Sequence, residues 1–128
     1  MRSVKADPAV TKYFEREPRA EGLFYALIRA CAAMGDPSFD VQKSDIALGS
    51  PRHYGYAWLP VHPGADRPPV YLVLTLRLKR RIDSPRVIQI VEPYPGRYAH
   101  HLILSAPAQL DQEFLGWVRE AKADSLEK

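Results

Sequence analysis

The chain has 128 residues, of which 46% are hydrophobic and 26% charged, with a formal net charge of +3. These proportions exclude a disordered chain, and the length suits one folded domain, so residues 1–128 are predicted to form a single domain. The mild basic excess, with an isoelectric point near 9.1, permits an anionic partner without requiring one.

The compartment is predicted from what the sequence lacks. Cys31 is the single cysteine, which excludes an internal disulfide framework. The N-terminal residues lack the apolar run of a signal peptide, and no stretch is long enough to span a bilayer. We therefore predict a cytoplasmic protein with no membrane partner.

Helices are predicted near both ends of the chain. Asp7 and Pro8 begin a short N-terminal helix, with Asp7 as the N-cap. A longer helix is predicted over residues 19–34, where apolar side chains recur on one stripe and Gly35 follows as the cap. Ser105 is predicted to be the N-cap of the last helix. The buried stripe of that helix is Leu110, Phe114, Trp117, Val118 and Ala121.

Five segments between the helices show the alternation of strands: residues 39–48, 53–60, 70–79, 87–92 and 98–104. The clearest is 70–79, in which every second residue is apolar: Val70, Leu72, Leu74, Leu76 and Leu78. Tyr54, Tyr56 and Trp58 are predicted to share one face. Pro93 and Pro95 are predicted to keep residues 92–95 out of any paired strand. The expected fold is α+β in two layers: an antiparallel sheet of four or five strands with an N-terminal and a C-terminal helix on its leucine face.

The least ordinary stretch is residues 93–104, where a Pro- and Gly-containing turn leads into a strand with two adjacent histidines. Neighbouring residues of a strand point to opposite faces, so His100 and His101 cannot easily bind one metal together. One of them is expected to be packed and hydrogen-bonded, and the other to lie on the surface. The chain has no zinc-ligand spacing, nucleophile elbow or Gly-rich phosphate loop. No catalytic set, metal or cofactor is predicted.

The pattern does predict an aromatic and basic sheet face opposite the leucines. The candidate ligand-binding residues are Lys43, Tyr71, Arg77, Arg97, Tyr98, His100 and His101. Aromatic side chains among cations on an open sheet can stack bases and track phosphates, although Tyr and Trp also favour strands for packing reasons. Arg97 follows a stiff turn. It is expected either to meet a ligand or to bond backbone carbonyls near the prolines or the carboxylate of Glu92.

Three functions remain open on this basis. The first is a non-catalytic binding module for an anionic ligand, which would be a nucleotide, a nucleic acid or an acidic peptide. The second is a small hydrolase-like enzyme that uses one of His100 and His101 as acid or base. The third is a homodimerisation domain that buries the Tyr–Trp face on a second copy.

A set of short motifs is spread over residues 10–122. It comprises Tyr13-Phe14, Pro18, Gln42-Lys43, Ile46-Ala47, Leu59-Pro60, Tyr71-Leu72-Val73-Leu74, Ser84-Pro85-Arg86, a Pro-Tyr-Pro-Gly-Arg-Tyr-x-His-His signature at 93–101, Asp111 and Gly116-Trp117. In these motifs the chain resembles a family of uncharacterised bacterial domains of unknown function. The resemblance implies one complete domain and carries no established activity or functional residue. Some members are labelled predicted transport proteins, which the absence of a membrane segment in this sequence does not support.

Overall fold

The structure is a computed structural model, which describes residues 7–49, 52–60 and 67–126. The helices are α1 (Pro8–Tyr13), α2 (Glu21–Ala33) and α3 (Gln112–Ser125). The strands are β1 (Phe39–Val41), β2 (Ile46–Leu48), β3 (Gly55–Trp58), β4 (Leu72–Leu78), β5 (Val87–Tyr94) and β6 (Arg97–Leu104). Short 3₁₀ turns, Pro18–Ala20 and Pro107–Gln109, precede α2 and α3. None of the described helices combines the length and the apolar character needed to cross a membrane.

The six strands form one antiparallel sheet in the order β1-β2-β3-β4-β6-β5. The predicted α+β class, with an antiparallel sheet and helices at both ends, is confirmed. The predicted number of four or five strands is wrong, because residues 39–48 form the β1–β2 hairpin and not one strand. The polar residues 42–45 make its turn, in which Gln42 N–H donates to the carbonyl of Asp45 at 2.8 Å. Ser and Asp favour such turns because their side chains compete for backbone groups.

The core lies between the helices and one face of the sheet. Leu72, Leu74, Leu76 and Leu78 of β4 are completely buried, in one cluster with Leu27 of α2 and other side chains of both long helices. On α3 the predicted stripe is buried at Phe114, Trp117, Val118 and Ala121, while Leu110 packs against the cluster from its rim. The leucine face of β4 is therefore the side of the sheet that meets the helices.

The predicted N-cap is correct for the first helix and wrong for the last helix. Asp7 caps α1 as predicted, and its carboxylate accepts from Ala9 N–H at 2.8 Å. The prediction for Ser105 is wrong, because Asp111 caps α3 and accepts from Phe114 N–H at 3.0 Å. The cause is Leu110, whose ψ of 59° leaves the helical region and separates the 3₁₀ turn from α3.

The predicted row of three aromatic residues is wrong at its first member. Tyr54 precedes β3, is 2% exposed, and donates its hydroxyl to Cys31 Sγ at 3.4 Å in the core. Strand alternation begins only at Gly55, so the position of Tyr54 does not follow from it. Tyr56 and Trp58 do share the face opposite the leucines, which we call the open face.

The prediction that residues 92–95 lie outside any strand is also wrong, because β5 contains Glu92 and Pro93 and ends at Tyr94. Two features accommodate the proline. β5 is an edge strand, so the backbone groups on one side of it have no neighbouring strand to pair with. Its pairing with β6 also shifts register between Val91 and Tyr94, as at a β-bulge.

Pro95 and Gly96 form the tight turn between β5 and β6. Gly96 has a φ of 76°, which the second central position of a type II turn requires and which glycine adopts without strain. A two-residue turn places its flanking residues directly opposite each other, here Tyr94 and Arg97. The turn therefore determines which side chain stands beside Arg97.

Candidate functional site

Three of the candidate residues, Arg77, Arg97 and Tyr98, line one pocket of about 220 Å³. We call it the sheet-end pocket, because its walls are the end of β4, the β5–β6 hairpin, the residues before β3 and the C-terminal end of α3. The other lining side chains with polar groups include His53, Tyr94 and Asp124. The tertiary structure thus gathers part of the predicted set at one place.

The two arginines lie on the open face of neighbouring strands. Arg77 of β4 pairs with Ala99 of β6, and Arg97 lies two residues before Ala99 on the same face. Such diagonal neighbours are about 7–8 Å apart. Tyr94 of β5 stands opposite Arg97 on its other side. Three adjacent strands therefore present Arg77, Arg97 and Tyr94 side by side.

Aromatic and acidic neighbours hold the wall of the pocket beside Arg77. The guanidinium carbon of Arg77 lies 5.0 Å from the ring centroid of Tyr56, a cation–π contact. His53 meets the same ring edge-on at 6.1 Å, and its Nε2 lies 2.8 Å from the Asp40 carboxylate. The sheet thus orients the His53 ring towards a pocket that also contains two guanidinium groups.

The side chain of Arg97 has no hydrogen bond and no ion pair with any residue of the described ranges, although the residue is half-buried. The carboxylate of Glu92 accepts instead from Gly96 N–H at 3.0 Å. The acid of the pocket, Asp124, accepts from Lys79 N–H at 3.0 Å. The structural role considered for Arg97, bonding carbonyls or Glu92, is therefore not seen, and its five donors are free to meet a ligand.

Two other candidates lie far from this pocket. Lys43 is exposed in the turn of the β1–β2 hairpin. Tyr71 is 6% exposed and directly precedes β4. Strand β4 runs away from Tyr71 and reaches the pocket at Arg77 and Leu78, so both candidates belong to the opposite end of the sheet.

His100 points to the helix side and is completely buried. Its Nδ1–H donates to the carbonyl of Tyr98 at 3.0 Å, and its Nε2 accepts from Ile82 N–H at 2.9 Å. Burial lowers the pKa of His100, which agrees with a neutral ring that has one donor and one acceptor. This histidine is a structural link between β6 and the loop after β4.

His101 lies on the open face, so the two histidines point to opposite sides as predicted. The indole N–H of Trp58 donates to Thr75 Oγ1 at 2.9 Å, and the same oxygen is hydrogen-bonded to His101 Nδ1 at 2.7 Å. Burial also lowers the pKa of His101. Neither histidine lines the sheet-end pocket, and the hydrolase hypothesis stays a prediction.

Replacing Thr75 with valine is expected to lower the free energy of unfolding by about 1–2 kcal/mol, because the shape is kept while Trp58 and His101 lose their partner. Urea denaturation measures the loss, and the indole N–H resonance of Trp58 reports the broken bond. Thr75→Ser keeps the hydroxyl and is the matched control. An unchanged indole resonance in Thr75→Val would show that the hydrogen-bonded chain does not exist in solution.

Sequence reasoning missed several residues of the pocket, among them His53 and Tyr94. A signal for Tyr94 was present, because a two-residue Pro-Gly turn places it opposite Arg97. No local signal identifies His53, whose contact with Asp40 depends on how β1, β2 and β3 pair.

The described ranges contain no group of three or more His, Cys, Asp or Glu residues arranged to hold a metal ion. No protein-family model, curated protein or solved structure matches the chain. The resemblance to bacterial domains of unknown function therefore stays a prediction, and the function of this protein must be inferred from the sheet-end pocket itself.

Proposed function

We propose that this protein is a non-catalytic binding module that holds an anionic ligand in the sheet-end pocket. The observation that carries the proposal is Arg97, a partly buried residue of the pocket whose guanidinium group has no partner in the described ranges. Buried charges are normally paired, because removing them from water is costly. An anion in the pocket would supply the missing partner.

The chemistry of the pocket favours a phosphate or a carboxylate. The planar fork of Arg97 matches either group with two parallel hydrogen bonds. Arg77 lies on the same face at a diagonal position, close enough for both guanidinium groups to approach one anion. Because the Pro95–Gly96 turn is stiff, holding Arg97 in place costs little conformational entropy on binding.

Self-association through the open face stays a prediction. Its aromatic side chains already have partners within the chain, since Trp58 donates to Thr75 and Tyr56 contacts Arg77. These contacts give no support to a second copy on this face.

Arg97→Ala is expected to weaken anion binding by about tenfold to a hundredfold, which is the loss of one or two charge-assisted hydrogen bonds. Isothermal titration at low ionic strength with inorganic phosphate, pyrophosphate and thymidine monophosphate measures the affinity. The thermal midpoint should stay nearly unchanged, because Arg97 has no internal partner to lose.

Arg29→Ala is the matched control, since Arg29 is exposed on α2 and its loss changes the net charge equally. Arg29→Ala should bind these anions with the same affinity as the wild-type protein. Two outcomes would overturn the proposal: no binding of any of these anions by the unchanged protein, or full binding by Arg97→Ala. A loss of stability of about 1–3 kcal/mol in Arg97→Ala would return that residue to a structural role.

A further inference from the structure

We propose that the anion in the sheet-end pocket is one phosphate of a single-stranded nucleic acid, whose neighbouring phosphates reach Arg52 on one side and Arg81 on the other. This inference rests on the proposed function of the pocket. It adds the class of partner, and it uses cations and an aromatic ring that a small anion within the pocket would not need.

Basic residues are concentrated at this end of the sheet, because the strands that meet there begin or end in them. They are Arg52, Arg77, Lys79, Arg80, Arg81 and Arg97. Two acids at this end, Glu120 and Asp124, bind groups of the protein itself. Glu120 binds Arg80 with both carboxylate oxygens, at 2.7 and 2.9 Å. Asp124 accepts from the backbone of Lys79. The six cations outnumber these two carboxylates, so this end has an excess of positive charge.

Two of these arginines flank the pocket without lining it. The exposed Arg52 donates to the carbonyl of Ser125 at 3.4 Å, and Ser125 belongs to the pocket wall. The guanidinium carbon of Arg81 lies 5.6 Å from the ring centroid of Tyr98, another wall residue. Arg52 shortly precedes β3 in the chain and Tyr98 belongs to β6, and these two strands are separated by β4, a distance of roughly 10 Å. Cations at such intervals fit a chain of phosphates better than one small anion.

Tyr94 provides the contact that distinguishes a nucleic acid from an acidic peptide. It is 64% exposed and stands directly opposite Arg97. An exposed ring beside a bound phosphate is a platform on which a base can stack, whatever its sequence. Stacking requires an unpaired base, so the pattern favours a single strand over a duplex. A chain of carboxylates would use the arginines but would have no ring to place on Tyr94.

Fluorescence anisotropy with a labelled oligothymidylate of about ten nucleotides tests this assignment. The oligonucleotide is expected to bind at least about tenfold more tightly than thymidine monophosphate, because it also reaches Arg52 and Arg81. The logarithm of its binding constant should fall linearly with the logarithm of salt concentration, with a slope of about −2 to −3 for three or four phosphates.

The variants separate charge from stacking. Arg52→Ala and Arg81→Ala should each reduce the magnitude of the salt slope by about 0.7 and leave the affinity for thymidine monophosphate unchanged. Tyr94→Ala should weaken oligonucleotide binding by about fivefold to a hundredfold without changing the salt slope. Tyr94→Phe keeps the ring and should bind normally. Arg29→Ala is again the control for lost charge.

Several results would overturn the inference. Equal affinity for the oligonucleotide and the mononucleotide, or salt slopes unaffected by Arg52→Ala and Arg81→Ala, would restrict the site to a small anion and leave the proposed function intact. Equal affinity for a duplex or for an oligoglutamate, with no effect of Tyr94→Ala, would exclude a single strand as the specific partner. If none of these anions binds, the proposed function fails together with the inference.

Discussion

Replacing Arg86 with alanine is expected to lower the free energy of unfolding by about 2–3 kcal/mol. The side chain of Arg86 connects the loop between β4 and β5 to the beginning of α3 through hydrogen bonds. Its Nη1 donates to Asp111 at 2.9 Å and to Glu113 at 3.0 Å, and its Nη2 donates to the carbonyl of Gln109 at 2.6 Å. One side chain thereby contacts Gln109, Asp111 and Glu113, which lie where the 3₁₀ turn is separated from α3.

The loss should come mainly from packing and from the backbone carbonyl. The Arg86 side chain is only 27% exposed, and its guanidinium carbon lies 5.3 Å from the ring centroid of Phe114 and 5.7 Å from that of Trp117. Both rings belong to the core, so alanine would uncover them and leave the Gln109 carbonyl without its donor. The ion pairs with the exposed carboxylates add less, because water and salt screen them. The loss should therefore persist at high salt.

Urea denaturation at low and high salt measures this effect, with Arg80→Ala as the control. Arg80 pairs with Glu120 through two hydrogen bonds but is 56% exposed, so its removal should cost less than about 1 kcal/mol and depend on salt. Arg86→Lys keeps the charge without the planar fork and should recover less than half of the loss. If Arg86→Ala lowered the free energy of unfolding no more than Arg80→Ala does, the role of Arg86 in connecting the loop to α3 would be contradicted.

A decrease in pH from about 7 to about 5 is expected to destabilise the protein through His100. Burial lowers the pKa of His100 in the folded state, whereas the unfolded chain takes up a proton near the ordinary value of about 6.5. The unfolded state then binds more protons, so stability rises with pH in this range. The contribution is complete above about pH 6.5 and is lost as the pH falls towards the lower folded pKa. A proton on Nε2 would also remove the acceptor of Ile82 N–H.

His100→Leu separates this titration from the acid effects of carboxylates, which begin at lower pH. At pH 7.5 it should cost about 2–4 kcal/mol, because the N–H of Ile82 and the carbonyl of Tyr98 lose their partners in the core. Between pH 5 and 7 its stability should change less with pH than that of the unchanged protein. Burial lowers the pKa of His101 in the same direction, so His101→Gln measures the contribution of His101 separately. An unaltered pH dependence in His100→Leu would refute the assignment to His100.

Local patterns were sufficient wherever a segment's own side chains decide its structure. The five apolar positions of residues 70–79 made β4 predictable, and the stripes on α2 and α3 identified their buried faces, because burial of an alternating or helical pattern needs no knowledge of the partner. The cap at Asp7 was predictable for the same reason, since it involves a backbone N–H only two residues away. The opposite orientation of His100 and His101 likewise follows from the geometry of one strand.

Local patterns failed where the sequence signal was weak and contacts between distant segments decided the structure. The turn of the β1–β2 hairpin contains neither Gly nor Pro, so a continuous strand fitted the alternation equally well. Pro93 is tolerated within β5 because that strand lies at an edge, which sequence alternation cannot reveal. Ser105 and Asp111 are both acceptable N-caps, and the conformation of Leu110 selected the second.

The sheet-end pocket depends most on the order of the strands. Alternation placed Arg77 on the face opposite the leucines, and Arg97 was predicted to follow a stiff turn. Neither pattern determined whether β5 or β6 would lie beside β4, because either arrangement buries an apolar face against the helices. Only the observed order, with β6 between β4 and β5, makes the two arginines diagonal neighbours and brings Tyr94 to the far side of Arg97. The same order leaves Lys43 and Tyr71 at the other end. A strand's sequence determines which face a side chain occupies, and pairing between distant strands determines its neighbours.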